Sequence, residues 1–380
     1  MRRALVTGGA GFIGSNFVRH LMGVPGWRVR VLDKLTYAGN LGNFPDQCWK
    51  NPRFEFMCGD VCNWRVVRKA LVDVDAVVNL VAETHIDRSI DDVAPFVKTD
   101  FVGTSVLLEE FRHNPGDRFV QVSTCEVYGS ARTVPMDEQH PIEPQSPYAA
   151  TKAGADRLCY SYFRTYGLSI TVLRPFNVYG PNQYPEKVIP FFFTSAADNR
   201  PLYVYGSGRN TRDWTHAADL CALLERVLDA PQAKVAGEVF NVGSGEERSS
   251  LEIAEAVLEH LGRPKSLIRH INDRPGHVTR LVCNPAKVAG VLGWKARTRF
   301  DAGLEKTLEW YGANEPWWRA ITRRPVYREF YHRWYEETLG ASKSRVESRE
   351  SRVENPKSMV HGPKSMVHGP KSRVGAARMR

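Results

Sequence analysis

Three polar segments of this chain combine residue types that could move a hydride and protons on a bound substrate. A glycine-rich turn, Gly8–Gly14, follows the first apolar run. Thr124 and Glu126 lie in a polar run after a later apolar segment, and Tyr148 stands four residues before Lys152. A nucleotide-binding turn, a tyrosine beside a lysine and a carboxylate at a strand end together indicate redox-assisted chemistry.

The glycine turn predicts a dinucleotide site, because it would join the first strand to the first helix. Without Cβ atoms the backbone can approach a pyrophosphate, whose charge then lies at the positive end of the helix. Asp33 ends the second strand nineteen residues after Gly14. A carboxylate there accepts hydrogen bonds from ribose hydroxyls and repels a 2′-phosphate, so the expected cofactor is NAD rather than NADP. Asp60, after the third strand, is either an adenine contact or a simple turn residue.

Tyr148 and Lys152 predict a catalytic base. Residues four apart on a helix share one face. A phenol with a pKa near ~10 is a poor base at neutral pH, but a neighbouring ammonium stabilises the phenolate. We therefore expect Tyr148 to accept a hydroxyl proton as hydride leaves the same carbon for NAD.

Short apolar runs alternate with helix-length segments before Pro175, which predicts a Rossmann-like, doubly wound parallel α/β sheet with ligands at the carboxyl ends of its strands. The expected strands are Ala4–Thr7, Val29–Leu32, Phe54–Cys58, Ala76–Leu80, Phe119–Val122 and Ile170–Arg174. The expected helices are Gly14–Met22, Trp64–Leu71, Val102–Phe111 and Tyr148–Tyr166. We assign residues 1–175 to the NAD-binding domain, to which later segments could return, and 176–340 to a smaller, irregular part that binds the substrate.

The net charge of +10 is concentrated near the end of the chain. Residues 341–380 hold four Lys, six Arg and three Glu, which leaves 42 basic and 39 acidic residues in the first 340. The basic segment repeats every seven residues and carries few apolar groups, so we expect it to be disordered. Its dispersed charges favour an inert extension over a nucleic-acid or membrane tether.

Composition places the chain among globular enzymes. Its 380 residues, 42% of them hydrophobic, suffice for a large core. The start reaches glycine too soon for a signal-peptide core, and no run approaches ~18 apolar residues, so we expect a cytoplasmic protein with no membrane segment. Seven cysteines without a Cys-x-x-Cys pattern indicate reduced thiols and no metal site.

Residues 1 to about 340 resemble the extended short-chain dehydrogenase/reductases that modify nucleotide sugars, and within them the dTDP-glucose 4,6-dehydratase family. The motifs that carry the resemblance are Asp33–Asn40, Ala82–Ile90, Gly180–Pro190, Arg212–Trp214 and Asp273–His277. The basic segment after residue 340 has no counterpart in that family.

The resemblance implies a set of binding residues. The cofactor-binding set would be Gly8, Gly11, Phe12, Ile13, Gly14, Asp33, Lys34, Thr36, Asp60, Val61, Val81, Ala82, Thr99, Tyr148 and Lys152. The substrate-binding set would be Thr84, Asn177, Lys187, Arg212, Arg274 and His277, with Thr124 also on the sugar. The helices Val102–Phe111 and Tyr148–Tyr166 resemble those that pair in family dimers, so a homodimer is expected.

The resemblance also implies a reaction on dTDP-glucose or a similar nucleotide hexose. Oxidation at C4 makes the C5 hydrogen acidic, Glu126 removes that proton, the C6 hydroxyl leaves, and hydride returns to C6. The catalytic set is therefore Thr124, Cys125, Glu126, Tyr148 and Lys152.

Cys125 stands where the family has the aspartate that protonates the leaving hydroxyl. A thiol with a pKa near ~8.5 is protonated at pH 7 but is a weaker acid than a carboxylic acid. Four readings stay open: Cys125 donates the proton, Glu126 does both jobs, elimination is lost, or Cys125 only fills space. Asp100 is a second departure, since the family has asparagine there.

Two other functions use the same NAD site. A UDP-sugar 4-epimerase or decarboxylase would need Tyr148 and Lys152, but an epimerase has no need of Glu126. A non-catalytic NAD-binding regulator should have lost Tyr148 or Lys152. The expected partner is a nucleotide sugar, with no nucleic acid and no membrane, and the sequence does not identify the nucleotide base.

Overall fold

The computed structural model describes residues 1–338, so the predicted disordered segment 341–380 lies outside the described residues. This described part of the chain contains thirteen strands. They are β1 Arg2–Thr7, β2 Trp27–Asp33, β3 Phe54–Cys58, β4 Ala76–Asn79, β5 Arg118–Val122, β6 Ile170–Pro175, β7 Asn177–Tyr179, β8 Leu202–Tyr205, β9 Thr211–His216, β10 Val239–Val242, β11 Glu247–Ser249, β12 Ile268–Ile271 and β13 Arg280–Leu281.

Helices connect these strands. They are α1 Phe12–Gly23, α2 Asp46–Trp49, α3 Trp64–Ala70, α4 Ile86–Asp91, α5 Ala94–Phe96, α6 Gly103–His113, α7 Pro147–Tyr166, α8 Val188–Ala197, α9 Ala217–Asp229, α10 Gln232–Val235, α11 Ser250–His260, α12 Ala286–Leu292, α13 Phe300–Ala313, α14 Glu315–Thr322 and α15 Pro325–Tyr331. Short 3₁₀ turns form at Leu41–Asn43, Cys125–Tyr128 and Lys265–Leu267, and π-helical turns at Val97–Val102 and His332–Thr338.

The large sheet has the strand order β10-β6-β5-β4-β1-β2-β3 in the described part of the chain. Every neighbouring pair is parallel. The predicted doubly wound parallel α/β sheet is therefore confirmed, and each predicted strand and helix agrees with the observed one to within two residues. Such differences are within the usual uncertainty of element ends.

The segments after Pro175 build a second region with its own core. β9 pairs with β7, β11 and β13, while β8 pairs with β12. Aromatic side chains dominate the core beside α8 and α13. β10 lies in the large sheet next to β6 although it follows residue 176, and the division at residue 175 stays a prediction.

Two apolar layers hold the helices on the faces of the large sheet. Phe17, Val18 and Leu21 of α1 pack in one layer, and Leu107, Leu108 and Phe111 of α6 pack in the other. In this three-layer arrangement of helices on both faces of a parallel sheet, the loops after β1, β2, β3, β4, β5 and β6 all lie at one edge, where the strands end. Among residues 1–338, no helix is both long and apolar enough to span a membrane.

Candidate active site

A cavity opens at the carboxyl ends of the strands in the large sheet. Every residue assigned to the cofactor, substrate or catalytic sets from the sequence lines it, except Asp60. Instead, an Asp60 oxygen accepts the Cys62 amide hydrogen at 2.9 Å, and the other oxygen lies 3.9 Å from the Lys34 ammonium. An adenine contact by Asp60 stays a prediction.

The glycine turn has the shape that a dinucleotide needs. Gly8 has a φ of +68°, and a Cβ there would lie 2.8 Å from the backbone of Leu80. A Cβ on Gly14 would lie 2.2 Å from the Gly8 carbonyl oxygen, so the turn and α1 pack backbone to backbone. At Gly11, by contrast, a Cβ would meet only the Gly8 carbonyl oxygen, at 3.3 Å. The space in front of Gly11 is cavity, which leaves room for a pyrophosphate at the start of α1.

Asp33 ties the second strand to this turn. Its carboxylate accepts the Ala10 amide hydrogen at 3.0 Å and the Leu35 amide hydrogen at 2.8 Å. Burial raises the pKa of Asp33, and the two amides partly oppose that rise. Since each carboxylate oxygen accepts more than one hydrogen bond, the group can still bind ribose hydroxyls. The glycine turn and Asp33 therefore fit NAD.

The helix α7 begins at a residue that sets the position of Tyr148. The Ser146 hydroxyl caps the helix by accepting the Ala149 amide hydrogen at 3.2 Å, and Pro147 occupies the first turn. Tyr148 is thereby held in the first turn, with Lys152 one turn further along.

Tyr148 and Lys152 are both buried at the base of the cavity. The Lys152 ammonium donates to the Val122 carbonyl oxygen at 2.9 Å, which anchors α7 to the end of β5. Burial lowers the pKa of Lys152 and raises that of Tyr148, whereas a hydrogen bond with the Thr124 side chain lowers the pKa of the phenol. Tyr148 is thus a neutral phenol in this structure, in contact with Thr124.

The turn after β5 carries the carboxylate. Thr124 caps the 3₁₀ turn by accepting the Glu126 amide hydrogen at 3.2 Å. The Glu126 carboxylate is 9% exposed and lies 3.9 Å from the Arg212 guanidinium. Glu126 therefore faces the same cavity as Tyr148, with a cation beside it.

Cys125 lies mainly in an apolar cluster. Its side chain is 1% exposed and packs with Val127, Met136, Phe176 and Cys283, among others. Burial, followed by the charge of Glu126, raises the pKa of the thiol well above its ordinary value. The thiol is therefore protonated at neutral pH and is a poorer acid than a free cysteine.

Further cationic side chains line the cavity. The Lys187 ammonium donates to the Thr84 carbonyl oxygen at 2.6 Å, and Asn177 also lines the cavity. The Arg212 guanidinium donates to the Val278 carbonyl oxygen at 2.8 Å. Cationic donors held in fixed geometry are what a diphosphate requires.

Arg274 is held by a buried carboxylate that our sequence reasoning did not single out. Asp87 is 1% exposed; it accepts from Arg274 at 2.9 Å and from the Tyr205 hydroxyl at 2.6 Å. The Trp334 indole donates to the same hydroxyl at 2.8 Å. His277, which pairs with Asp273, also lines the cavity.

Several further cavity residues also escaped the sequence analysis. They include His85, Asp87, Glu186, Tyr205 and Tyr335. The motif that contains Thr84 also contains His85 and Asp87, and the motif that contains Lys187 also contains Glu186; these motifs are the signals that could have indicated the three residues. Nothing in local spacing indicates Tyr205 or Tyr335.

Comparisons with known proteins agree with this architecture. The family model described as GDP-mannose 4,6 dehydratase matches residues 5–307. The dTDP-glucose 4,6-dehydratase of an Actinoplanes strain is 46% identical over 323 residues, covering 83% of this chain and 99% of that protein. The enzyme of the same name from Streptomyces niveus is 45% identical, covering 84% of this chain and 95% of that protein.

A solved structure is similar over the same region. The dTDP-glucose 4,6-dehydratase of Streptomyces venezuelae, crystallised with NAD bound, superposes with a TM-score of 0.81 at 42% identity, covering 84% of this chain and 99% of that one. The fold and the site define an extended nucleotide-sugar dehydrogenase/reductase. The chain belongs to the GDP-mannose 4,6 dehydratase family, and the relatives compared are dTDP-glucose 4,6-dehydratases.

Proposed function

We propose that this protein is an NAD-dependent nucleotide-sugar 4,6-dehydratase that converts dTDP-glucose to its 4-keto-6-deoxy derivative and water. The observation that carries the proposal is that Glu126 lines the same cavity as Tyr148 and Lys152. Relatives at 45–46% identity that carry this enzyme's name support dTDP-glucose as the substrate.

The first chemical step is oxidation at C4 of the hexose. When bound, NAD accepts the hydride from C4 and later returns it to C6. Tyr148 accepts the C4 hydroxyl proton, and Thr124, already hydrogen-bonded to Tyr148, orients that hydroxyl. Only the phenolate can accept that proton, so Tyr148 first loses its own proton to solvent; Lys152, anchored to the Val122 carbonyl, places its positive charge near the phenolate and stabilises it.

The second step is elimination of water across C5 and C6. The new ketone acidifies the C5 hydrogen, which Glu126 removes as a proton. The nearby Arg212 guanidinium stabilises the carboxylate before transfer, because opposite charges at 3.9 Å attract. The C6–O bond then breaks as the oxygen is protonated and leaves as water. When the hydride returns to C6, C5 takes a proton from solvent, and Tyr148 releases to solvent the proton that it accepted from the C4 hydroxyl.

We assign protonation of the leaving oxygen to Glu126 rather than to Cys125. After removing the C5 proton, Glu126 is a carboxylic acid and can pass that proton to oxygen on the same side of the sugar. Cys125 is packed in an apolar cluster, and burial makes its thiol a weaker acid.

Cationic side chains of the cavity are proposed to bind the nucleotide diphosphate. Lys187, Arg212 and Arg274 supply positive charge there, and each is oriented by a hydrogen bond to protein. Thr84, Asn177 and His277 line the same cavity and complete the substrate-binding set expected from the sequence.

A direct assay tests the reaction. The purified protein is incubated separately with dTDP-glucose and UDP-glucose, and the alkali-induced chromophore of a 4-keto-6-deoxy sugar is measured. We expect the chromophore with dTDP-glucose, and one solvent deuterium at C5 when the reaction runs in D₂O. A 4-epimer product without C5 exchange would instead indicate an epimerase. NADP(H), or no dinucleotide, in the denatured pure protein would contradict the NAD assignment.

We also propose a homodimer formed through α6 and α7. Val97, Phe101 and Val102 on the π-helical turn before α6, and Tyr160 on α7, are apolar or aromatic residues that are 38–46% exposed. Exposed apolar clusters of this kind favour burial against a partner. Phe101→Glu should shift the mass measured by analytical ultracentrifugation towards the monomer. Val326→Glu, at a side chain 41% exposed on α15, is the matched control.

A further inference from the structure

Asp100 is a buried carboxylate in the π-helical turn Val97–Val102. Its side chain is 1% exposed, whereas the neighbouring Phe101 is 38% exposed. A π-helical turn inserts one extra residue into a helix and often occurs at functional sites. Here the turn directs Asp100 inward, towards α7.

The carboxylate is held on two sides. One oxygen accepts the Glu83 amide hydrogen at 2.9 Å, and the other accepts the Thr151 hydroxyl at 3.1 Å. Thr151 precedes Lys152 on α7, and the Asp100 charge raises the pKa of Lys152 against the effect of burial. When it is ionised, Asp100 is therefore a counter-charge for Lys152, held in place by these two hydrogen bonds.

Other ionisable groups face Asp100 from each neighbouring element. α7 supplies Lys152 and Tyr148, and the loop after β4 supplies Glu83, whose charge opposes ionisation of Asp100. Lys34 lies near Glu83 and donates to Thr99, the residue before Asp100, at 2.9 Å. The anionic and cationic neighbours thus act in opposite directions on one carboxyl group.

The balance of these effects leaves Asp100 able to change charge near neutral pH. Burial raises the pKa of Asp100 to about 7, while Lys152 and the two hydrogen bonds lower it. Once ionised, Asp100 raises the pKa of Tyr148, because its negative charge opposes formation of a phenolate nearby. The charge of Asp100 therefore bears directly on the proposed base.

We propose that Asp100 is a positioning residue whose change of charge beside Lys152 sets the pH at which Tyr148 accepts the C4 hydroxyl proton. This inference rests on the proposed function, since it assumes that Tyr148 is the base. It also gives a physical meaning to the departure from asparagine at this position.

The test removes the charge of Asp100 and keeps the shape of its side chain. In Asp100→Asn, a single turnover with dTDP-glucose is monitored through the reduction of the bound cofactor, at pH values between about 5.5 and 9. We expect the half-maximal point of the rate to move about one unit to lower pH, the lower end of the range for a nearby charge. Glu110→Gln is the control, since Glu110 is a carboxylate 7% exposed on α6 that pairs with Arg68, away from the cavity.

Thermal unfolding without substrate gives a second readout. A carboxyl whose pKa rises from 3.8 to about 7 on folding favours the folded state most at low pH, and that contribution is lost as pH rises between those values. The difference in Tm between Asp100→Asn and the wild type should therefore shift in favour of the variant as the pH increases through this window. The control variant should show no such trend.

The outcomes separate the inference from the function on which it rests. If Asp100→Asn and the wild type are both active and their pH profiles superimpose, the proposed role of Asp100 is wrong, while the proposed dehydratase function stands. An equal loss of rate at every pH would do the same, because it would indicate a purely structural residue. If neither protein oxidises the sugar, the proposed function fails and the inference fails with it.

Discussion

Arg174 and Asp156 form a buried ion pair that joins β6 to the helix bearing Tyr148 and Lys152. Two guanidinium nitrogens of Arg174 donate to the two Asp156 oxygens, at 2.8 and 3.0 Å, and the two side chains are 2% and 0% exposed. Arg174 also donates to the Tyr128 hydroxyl at 2.8 Å. The pair therefore connects α7 to the turn that carries Glu126.

Removing one member of this pair should destabilise the protein strongly. Asp156→Asn leaves the Arg174 charge buried without its counter-charge, for which about 3–5 kcal/mol is typical. Because the Tyr128 contact would also be disturbed, we expect kcat to fall more than KM rises. Urea unfolding and steady-state kinetics measure the two effects.

Two further variants provide comparisons for the loss of stability in Asp156→Asn. Arg248→Gln removes a pair with Asp301, whose side chain is 69% exposed, and should cost no more than about 1 kcal/mol. The double variant Arg174→Met with Asp156→Leu should be more stable than Asp156→Asn, because it leaves no buried charge unpaired; Arg157, which also pairs with Asp156, is 45% exposed and can be solvated by water. Equal losses in the double and single variants would contradict this account.

A side chain at Gly11 should block the cofactor without damaging the fold. Gly11 has φ −79° and ψ −174°, which any residue adopts; it lines the cavity, and a Cβ there would meet only the Gly8 carbonyl oxygen, at 3.3 Å. Gly11→Val should lose at least tenfold in NAD affinity by isothermal titration while its Tm without cofactor stays within a few degrees. Gly23→Ala is the control, since a Cβ there meets nothing within 4 Å.

Loss of the Tyr148 hydroxyl should remove the base. Tyr148→Phe keeps the ring against Phe96 and should lower turnover at least ~10²-fold, the usual scale for a positioned acid or base. Lys152→Ala should lower activity and also weaken NAD binding. Near-normal turnover in Tyr148→Phe would show that another group accepts the proton.

The roles of Glu126 and Cys125 separate in a rapid-quench experiment. Glu126→Gln should still oxidise C4 but abolish dehydration, because the amide cannot take the C5 proton. Cys125→Ala should release keto sugar at nearly the wild-type rate if Glu126 carries both proton transfers. A slow elimination in Cys125→Ala that Cys125→Asp restores would instead assign the acid to the thiol.

The cofactor half of the site was predictable because its signals are local. The turn Gly8–Gly14, Asp33 and the Tyr148/Lys152 pair each depend on a strand end or a helix face, and strand and helix periods are visible in the sequence. Those residues line one cavity in the structure. The parallel topology then follows from the alternation of strands and helices.

The substrate half was assigned through resemblance rather than from local pattern. Asp87 and Arg274 are 187 residues apart in the chain and meet only because α4 packs near the loop after β12. Cys125 and Cys283 share an apolar cluster for the same kind of reason. No periodicity links such residues, so their contacts could not be predicted from spacing.

The sequence by itself determined the doubly wound sheet, the position of the dinucleotide turn and the identity of the candidate base, since each rests on residues close together in the chain. Only the tertiary structure decided the surroundings of those groups. It buried Asp100 beside α7, held Arg274 on Asp87 and placed Cys125 among apolar side chains. Burial and charge depend on neighbours that come together only when distant segments pack, and these neighbours set the acidity of each group.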